Sequence, residues 1–369
     1  MWASLHRAML TYREGLVLHT ASSGRVDGLD TLYLRLEQDG LVAAGEVRIN
    51  IAYLNGLAAE AVLAEALDVL SGIDFARDAA CLLAEPPAAV ARASAPVRTL
   101  IDCALHDMCA RQAGVPLAVR LGAPDGAPIA HATNQTLFVS SDETFLARAA
   151  AYVARGFTEL KVRIGAGDIA DDLRRVALLR ERFGSGVTLA ADANGAWELP
   201  AALGHLEALA RYDLAYVEQP VAPGDWKALD ELAARSPIPV MLDESVTGLD
   251  EVRRIADAGN GLMAHLKLVK LGGLTPALEA ARLLSRAGVP FMIGQMNEGG
   301  LATSAALHLA CATCPRFAEL YGADGLENDP ASNPATCLAY GDGRVSAPPT
   351  PGLGLRFDAS CTHLIREFS

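Results

Sequence analysis

Three carboxylates stand at the ends of consecutive apolar runs: VTLAAD ends at Asp192, LAYVEQP carries Glu218 and PVMLDES carries Asp243. Cationic runs flank them, TELKVRIG with Lys161 and Arg163 before and MAHLKLVKLGG with Lys267 after. Carboxylate oxygens are hard donors, and three of them suit Mg²⁺, which takes octahedral oxygen ligation and keeps positions open for water and substrate. Cations on both sides would hold a carboxylate substrate between them while the metal binds its oxygens. A metal and a lysine base together suit removal of the proton α to that carboxylate, because the enediolate's new charge needs stabilising. Any one strand-terminal acid is accounted for as well by a helix N-cap or a loop hydrogen bond. Three in a ladder, with lysines on the neighbouring runs, are much harder to explain that way.

The ladder requires a scaffold that brings distant residues together. Asp192 to Glu218, Glu218 to Asp243 and Asp243 to Lys267 are 26, 25 and 24 residues apart. Each apolar run of about four to six residues precedes an amphipathic segment such as DDLRRVALLRERF, a strand–loop–helix period. Near-constant βα units make a parallel barrel, whose strands all end on one face. Beginning near His131, the strands read HATNQTLF, TELKVR, VTLAAD, LAYVEQ, VMLDE, MAHLK, PFMIGQ and FAELYG. Pro220, Pro239 and Pro290 fall at strand margins, where a missing N–H costs least. The expected architecture is a seven- or eight-fold α/β barrel.

The segments LKVRIG, DAN, EQP, DES and KLVKLGG resemble the enolase superfamily, specifically the muconate-lactonizing subgroup of its mandelate racemase/muconate lactonizing enzyme family, over nearly the whole chain. The resemblance implies a modified TIM barrel of (β/α)7β type with an α+β capping domain. It implies that Asp192, Glu218 and Asp243 bind Mg²⁺, that Lys267 is a general base, and that the family's K-x-K pair falls on Lys161 and Arg163. There the chain departs from the pattern: the second lysine, normally the base on the opposite face, is an arginine. GQMNEGG resembles the family's M-x-E-G stretch, which makes Glu298 an acid partner or a positioner of the active-site lysine. The small-residue turn there is expected to leave free N–H donors for an anionic group. ELYG resembles the E-L-F-G of the lactonizing enzymes, while the D-x-D with which the dipeptide epimerases hold an ammonium is missing.

Residues 1–125 read as the first part of the cap, 126–344 as the barrel and 345–369 as a segment returning to the cap. From Leu10 to Arg48 the runs LTYREGLVLH, DTLYLRLEQDG and LVAAGEVR suggest an antiparallel meander with turns at Ser23-Gly24 and Asp39-Gly40. Helical periodicity follows from Ala58 to Leu70 and from Pro96 to Gly114, the latter carrying the family's A-x-x-D. Gly24 marks a candidate mobile loop. The polar loop after GEVR lies where the family places a flap over the barrel mouth, so Arg48, Asn50 and Tyr53 are candidate substrate contacts. At the barrel mouth Asn194 is a further substrate ligand candidate. Lys270 reads as structural or solvated, His265 as a core histidine one layer below Lys267, and Glu244 as pointing away from Asp243 unless a loop returns it.

A net charge of −13 and the absence of a basic stripe exclude nucleic acid as the expected partner. MWASLHRAML is too short an apolar run for a signal peptide, and no run approaches a membrane span, so a cytoplasmic chain without a membrane partner is expected. The expected partners are a small-molecule carboxylate and further copies of the chain in a homo-oligomer. Seven scattered cysteines, Cys311 and Cys314 among them, make neither a disulfide framework nor a metal site. A guanidinium stays protonated at any ordinary pH, so Arg163 is a poor base. One-face chemistry, syn-dehydration or cycloisomerisation of a small carboxylic acid, is therefore expected. The alternatives are racemisation or epimerisation of a carboxylic or N-acyl amino acid, and a non-catalytic barrel that binds a metal–carboxylate ligand.

Overall fold

The computed structural model describes residues 1–13, 18–20, 24–26, 28–333 and 336–369. Eight parallel strands lie side by side in chain order: Gln135–Leu137, Glu159–Arg163, Thr188–Asp192, Leu214–Glu218, Val240–Leu242, Met263–Lys267, Phe291–Gly294 and Phe317–Glu319. The seam between the first and last strands is bridged by Asn134 N–H to Ala318 O at 3.0 Å, Leu320 N–H to Thr133 Oγ1 at 2.8 Å and Asn134 Nδ2 to Glu319 Oε2 at 3.2 Å. Helices between strands bury one stripe against the barrel. In Ile169–Phe183, Asp168 caps the N-terminus by accepting from Ala170 N–H, and Val176 and Leu179 are buried. Pro220 and Pro239 serve through their carbonyls, which accept from Trp197 and Val217 N–H.

The run HATNQTLF divides between two sheets. Ala130–Ala132 pairs with Arg344–Ser346 in a three-stranded sheet completed by Ala339–Gly341, and only Gln135–Leu137 enters the barrel. The switch falls at Thr133 and Asn134, whose N–H groups go to Gly343 O and Ala318 O respectively.

The cap is an antiparallel sheet ordered His363–Phe368, Trp2–Leu10, Leu29–Gln38, Leu41–Arg48, so the last strand lies against the first. Trp2–Leu10 was not among the expected strands; polar Ser4 and His6 are buried beside Ala3 and Leu5 while apolar Met9 is exposed, so strict alternation is lost. The Asp39-Gly40 turn forms as expected, with φ of 52° and 78°. Ser23 and Glu14–Val17 lie outside the described residues, and Gly24 opens a short strand, Gly24–Val26, paired with Leu18–Thr20. Helices Ala59–Ser71 and Ala95–Gln112 match the helical periodicity, while Leu117–Leu121 is an additional short helix between Pro116 and Gly122. The A-x-x-D aspartate, Asp107, is fully buried. It accepts Ala44 N–H from the sheet and Leu353 N–H from the returning segment, and pairs with Arg111. Among the described residues no helix is long and apolar enough to cross a membrane.

Candidate active site

Period-two alternation along the strands stacks the barrel interior in layers. Ala190, Tyr216, Met241, Met263, Met292 and Phe317 pack as an apolar floor. Two residues further along, the same faces carry Asp192, Glu218, Asp243, His265 and Glu319, all buried. The floor keeps water from entering below, so the polar layer meets solvent only at the strand ends.

In that layer every carboxylate already has a cation. Lys161 is fully buried; its Nζ lies 2.8 Å from Glu218 Oε2 and 3.7 Å from Asp192 Oδ2, and also pairs with Glu319. Arg163 Nη1 bonds Asp192 and, at 2.9 Å, Asn194 Oδ1. Lys267 Nζ lies 2.6 Å from Asp243 Oδ2, and Lys270 bonds Asp243 Oδ1 at 2.5 Å. Lys270 is therefore buried and ion-paired, on the structural side of the two readings open to it. His265 Nδ1 approaches Glu218 Oε1 at 2.9 Å; Gly294 on the next strand makes room for the ring, since a Cβ there would collide with Nε2.

Burial and these partners set the ionisation. Burial raises Asp192 to about 7 against the opposing pull of Arg163. Glu218 and Asp243 are also desolvated, yet Lys161 holds Glu218, and Lys267 and Lys270 hold Asp243, below the usual carboxylate range. Burial pushes Lys267 down, but Asp243 reverses this and keeps the ammonium above its ordinary value. In Glu298 burial outweighs the nearby Arg48 and lifts the carboxyl to about 7.

A cavity of about 230 Å³ opens at the strand ends, with Tyr53, Arg163, Asn194, Glu244, Lys267 and Tyr321 among its walls. Arg163 and Lys267 come from the second and sixth of eight strands, placing them across the mouth from each other. Lys161 lies beneath and is not part of the wall. Glu244 is brought back by its loop, with Oε1 accepting from Asn194 Nδ2 at 3.0 Å. Asn194 is held by its own N–H to Asp192 Oδ1 at 2.9 Å.

The cap loop reaches the cavity through Tyr53, not through Arg48 or Asn50. Arg48 is buried and donates to Asn50 Oδ1 at 2.7 Å and Asn297 O at 3.2 Å. Asn50 also accepts Asp30 N–H and donates to Gly28 O. These two side chains brace the loop. Glu298 sits behind the wall, its Oε2 accepting Met296 N–H at 3.1 Å.

Besides Tyr321 and Glu244 in the wall, Glu319, Gln219 and Gln295 belong to the site although they lie outside the expected set. Glu319 pairs with Lys161, and its place in ELYG was visible in the sequence. Gln219, in EQP, accepts Asp243 and Ser245 N–H and so shapes the Asp243 loop. Gln295 lines the cavity, with no sequence signal beyond its place after the seventh strand.

The donor set fits a hard divalent cation. Ligand atoms of Glu218, Asp243 and His265 lie within 4.8 Å of one another, and Asp192 stands on the strand beside Glu218 with its carboxylate turned to Arg163. Asp192, Glu218 and Asp243 offer only oxygen, which suits Mg²⁺.

Residues 144–361 match the family model described as enolase C-terminal domain-like. The chain is 31% identical to the L-Ala-D/L-Glu epimerase of Bacillus subtilis over 263 residues, 70% of each chain. It is 31% identical to chloromuconate cycloisomerase of Pseudomonas putida over 270 residues, 71% of this chain and 70% of that one. Its fold matches the dipeptide epimerase of Enterococcus faecalis solved with Mg and the dipeptide L-Leu-L-Tyr. The TM-score is 0.87 at 25% identity, covering 96% of this chain and 98% of that one.

Proposed function

This chain belongs to the enolase superfamily, in its mandelate racemase/muconate lactonizing enzyme family, and for this lyase- or isomerase-type enzyme we propose one-base removal of the proton α to a substrate carboxylate. The observation that carries the reading is that Lys267 is the lysine in the cavity wall, while Lys161 is buried beneath it and the facing cation is Arg163.

Asp192, Glu218 and Asp243 would hold Mg²⁺, which when bound neutralises charge on the substrate carboxylate as the α-proton leaves. Glu218 is kept in place by Lys161 and His265, and Asp243 by Lys270 and by Gln219 through its loop. Burial alone lowers Lys267 and the charge of Asp243 raises it. With the charges of Asp243 and Glu218 committed to a cation, burial and the nearby Lys161 would favour the neutral amine against Glu319, and Lys267 would then accept the α-proton. Arg163, fixed by Asp192 and Asn194, stays charged and orients the substrate from the opposite wall. Tyr53 closes the distal side.

Syn-dehydration or cycloisomerisation of a small carboxylic acid follows if Lys267 also serves the leaving or closing group on the same face. Epimerisation is the second reading. The likeness to L-Ala-D/L-Glu epimerase favours it, and Tyr321, a cavity phenol raised to about 12 by burial, offers a proton source away from Lys267. Solvent-deuterium exchange at the α-carbon across acid-sugar, hydroxy-acid and N-acyl amino-acid panels separates the readings. Exchange with loss of water or ring closure supports the one-base reaction, exchange with inversion supports epimerisation, and silence from every panel contradicts both.

A further inference from the structure

The sixth barrel strand ends at Lys267, and the helical turn Leu268–Leu271 follows directly, all of it buried. That turn is seated in the cap. Thr99 of the cap helix Ala95–Gln112 is 2% exposed, and its hydroxyl lies 2.9 Å from Leu268 O and 2.8 Å from Ala95 O. Val269 belongs to the apolar core of the cap, together with Val97, Leu100 and Ile101 of the same helix. Beyond the turn, Asp102 accepts Leu274 N–H at 2.6 Å and Thr275 N–H at 3.1 Å. It thereby caps the barrel helix Leu274–Ala287, whose own N-cap residue is Gly273. The two glycines of KLVKLGG admit this approach. A Cβ on Gly272 would collide with the Arg98 guanidinium, and one on Gly273 with the Asp102 carboxylate.

Arg98, Thr99 and Asp102 fall within about a third of the circumference of their helix. One face of one cap helix therefore grips both ends of the turn that begins at the lysine. Lys270, in the middle of the turn, reaches back to Asp243, bonding its backbone O and, at 2.5 Å, its Oδ1. Lys267 lies 2.6 Å from the other oxygen of that carboxylate. A shift of the turn would move both ammonium groups against Asp243.

We propose that Thr99 and Asp102 are positioning residues for Lys267, so that the cap sets the reach of the base from behind the barrel wall as well as covering its mouth. This rests on the α-proton reading and adds the groups that place the base. A general base has to stand within hydrogen-bond reach of its proton, and a misplacement of about 1 Å can cost about a hundredfold in rate. The strand fixes Lys267 from one side only; on the other side its backbone is fixed by this turn.

Thr99→Val, close in volume but without the hydroxyl, and Asp102→Ala remove the two grips. Thr99→Ser and Asp102→Asn keep an oxygen in each place. All four are compared with wild type at a temperature where circular dichroism shows them folded. In α-deuterium exchange with Mg²⁺ present, Thr99→Val and Asp102→Ala should each lower kcat by about tenfold or more, with KM within about twofold. Thr99→Ser and Asp102→Asn should stay within about threefold of wild type in kcat. A second measurement needs no substrate. In amide hydrogen exchange followed by mass spectrometry, residues 268–275 should exchange about tenfold faster in the first two variants, while the strand Thr188–Asp192 keeps its wild-type rate. Wild-type kcat in Thr99→Val and Asp102→Ala, a change in KM alone, or unaltered amide exchange over residues 268–275 overturns the proposal while leaving the α-proton reading standing. Absence of α-exchange in wild type on every substrate panel removes that reading and the proposal with it.

Discussion

Glu46 of the cap strand Leu41–Arg48 accepts the Gly299 N–H at 2.6 Å, at the start of the barrel helix Gly300–Thr313. Its second oxygen takes Leu301 and Ala302 N–H at 3.0 and 3.1 Å, while Asp329 takes Gly300 N–H. The helix start expected to offer free donors to an anion is therefore filled by the protein's own carboxylates. The cap is clasped to the barrel next to the loop that carries Gln295 and Glu298. Glu46→Ala, which strands these N–H groups, should cost on the order of 3 kcal/mol in urea unfolding. A loss under about 0.5 kcal/mol would show the clasp to be dispensable.

Glu298 gives stability a pH dependence of known sign. Unfolded, its carboxyl titrates near the ordinary value of about 4.3; folded, burial raises it to about 7. Between those values the folded chain keeps a proton that the unfolded chain has lost, so its stabilising contribution is complete below about 4.3 and declines as pH rises through 7. Glu298→Gln should remove that decline, gaining on wild type between pH 5 and pH 8 by up to about 3 kcal/mol in parallel unfolding curves. An offset that stays constant with pH would contradict the burial argument.

Tyr53, 37% exposed at the cavity edge, lines the cavity from the cap loop together with Leu54 and is the loop's polar contact there. Tyr53→Ala should raise KM several-fold with kcat little changed, because distal contacts are made equally in ground and transition states. Asn50→Ala, by contrast, should lower stability through its lost bonds to Arg48, Asp30 and Gly28. If the Tyr53 variant instead loses kcat with KM unchanged, the residue takes part in the reaction itself.

The ladder was legible because its period is set by the barrel: Asp192, Glu218, Asp243 and Lys267 recur at the length of one βα unit, and period two turns them inward together. The cap loop was legible in position but not in direction. Arg48, Asn50 and Tyr53 are all polar and closely spaced, and only the hydrogen bonds of the first two to Gly28, Asp30 and Asn297 decide which side chain reaches the cavity. Trp2–Leu10 was hidden because it buries polar Ser4 and His6 and exposes apolar Met9, which erases the alternation. Gln295 was hidden for another reason, since a single amide after a strand carries no pattern until the fold places it in the cavity wall.

Metal binding is measurable without a substrate. Asp192→Asn, Glu218→Gln and Asp243→Asn should each weaken Mg²⁺ binding in calorimetry by about a hundredfold or more, since each removes a charged oxygen donor. His265→Phe should weaken it less, by about ten- to a hundredfold, by freeing the Glu218 carboxylate it orients. Wild-type affinity in all three carboxamide variants would exclude the ladder as the metal site.

Lys267 against Arg163 is the decisive comparison, read by proton NMR of α-deuterium exchange in the Mg²⁺-loaded protein. Lys267→Ala should abolish exchange, while Arg163→Ala should raise KM and retain exchange on one face. Arg163→Lys, which supplies a group that can lose its proton, should permit some exchange with inversion. Exchange that survives in Lys267→Ala and vanishes in Arg163→Ala would contradict the one-base account.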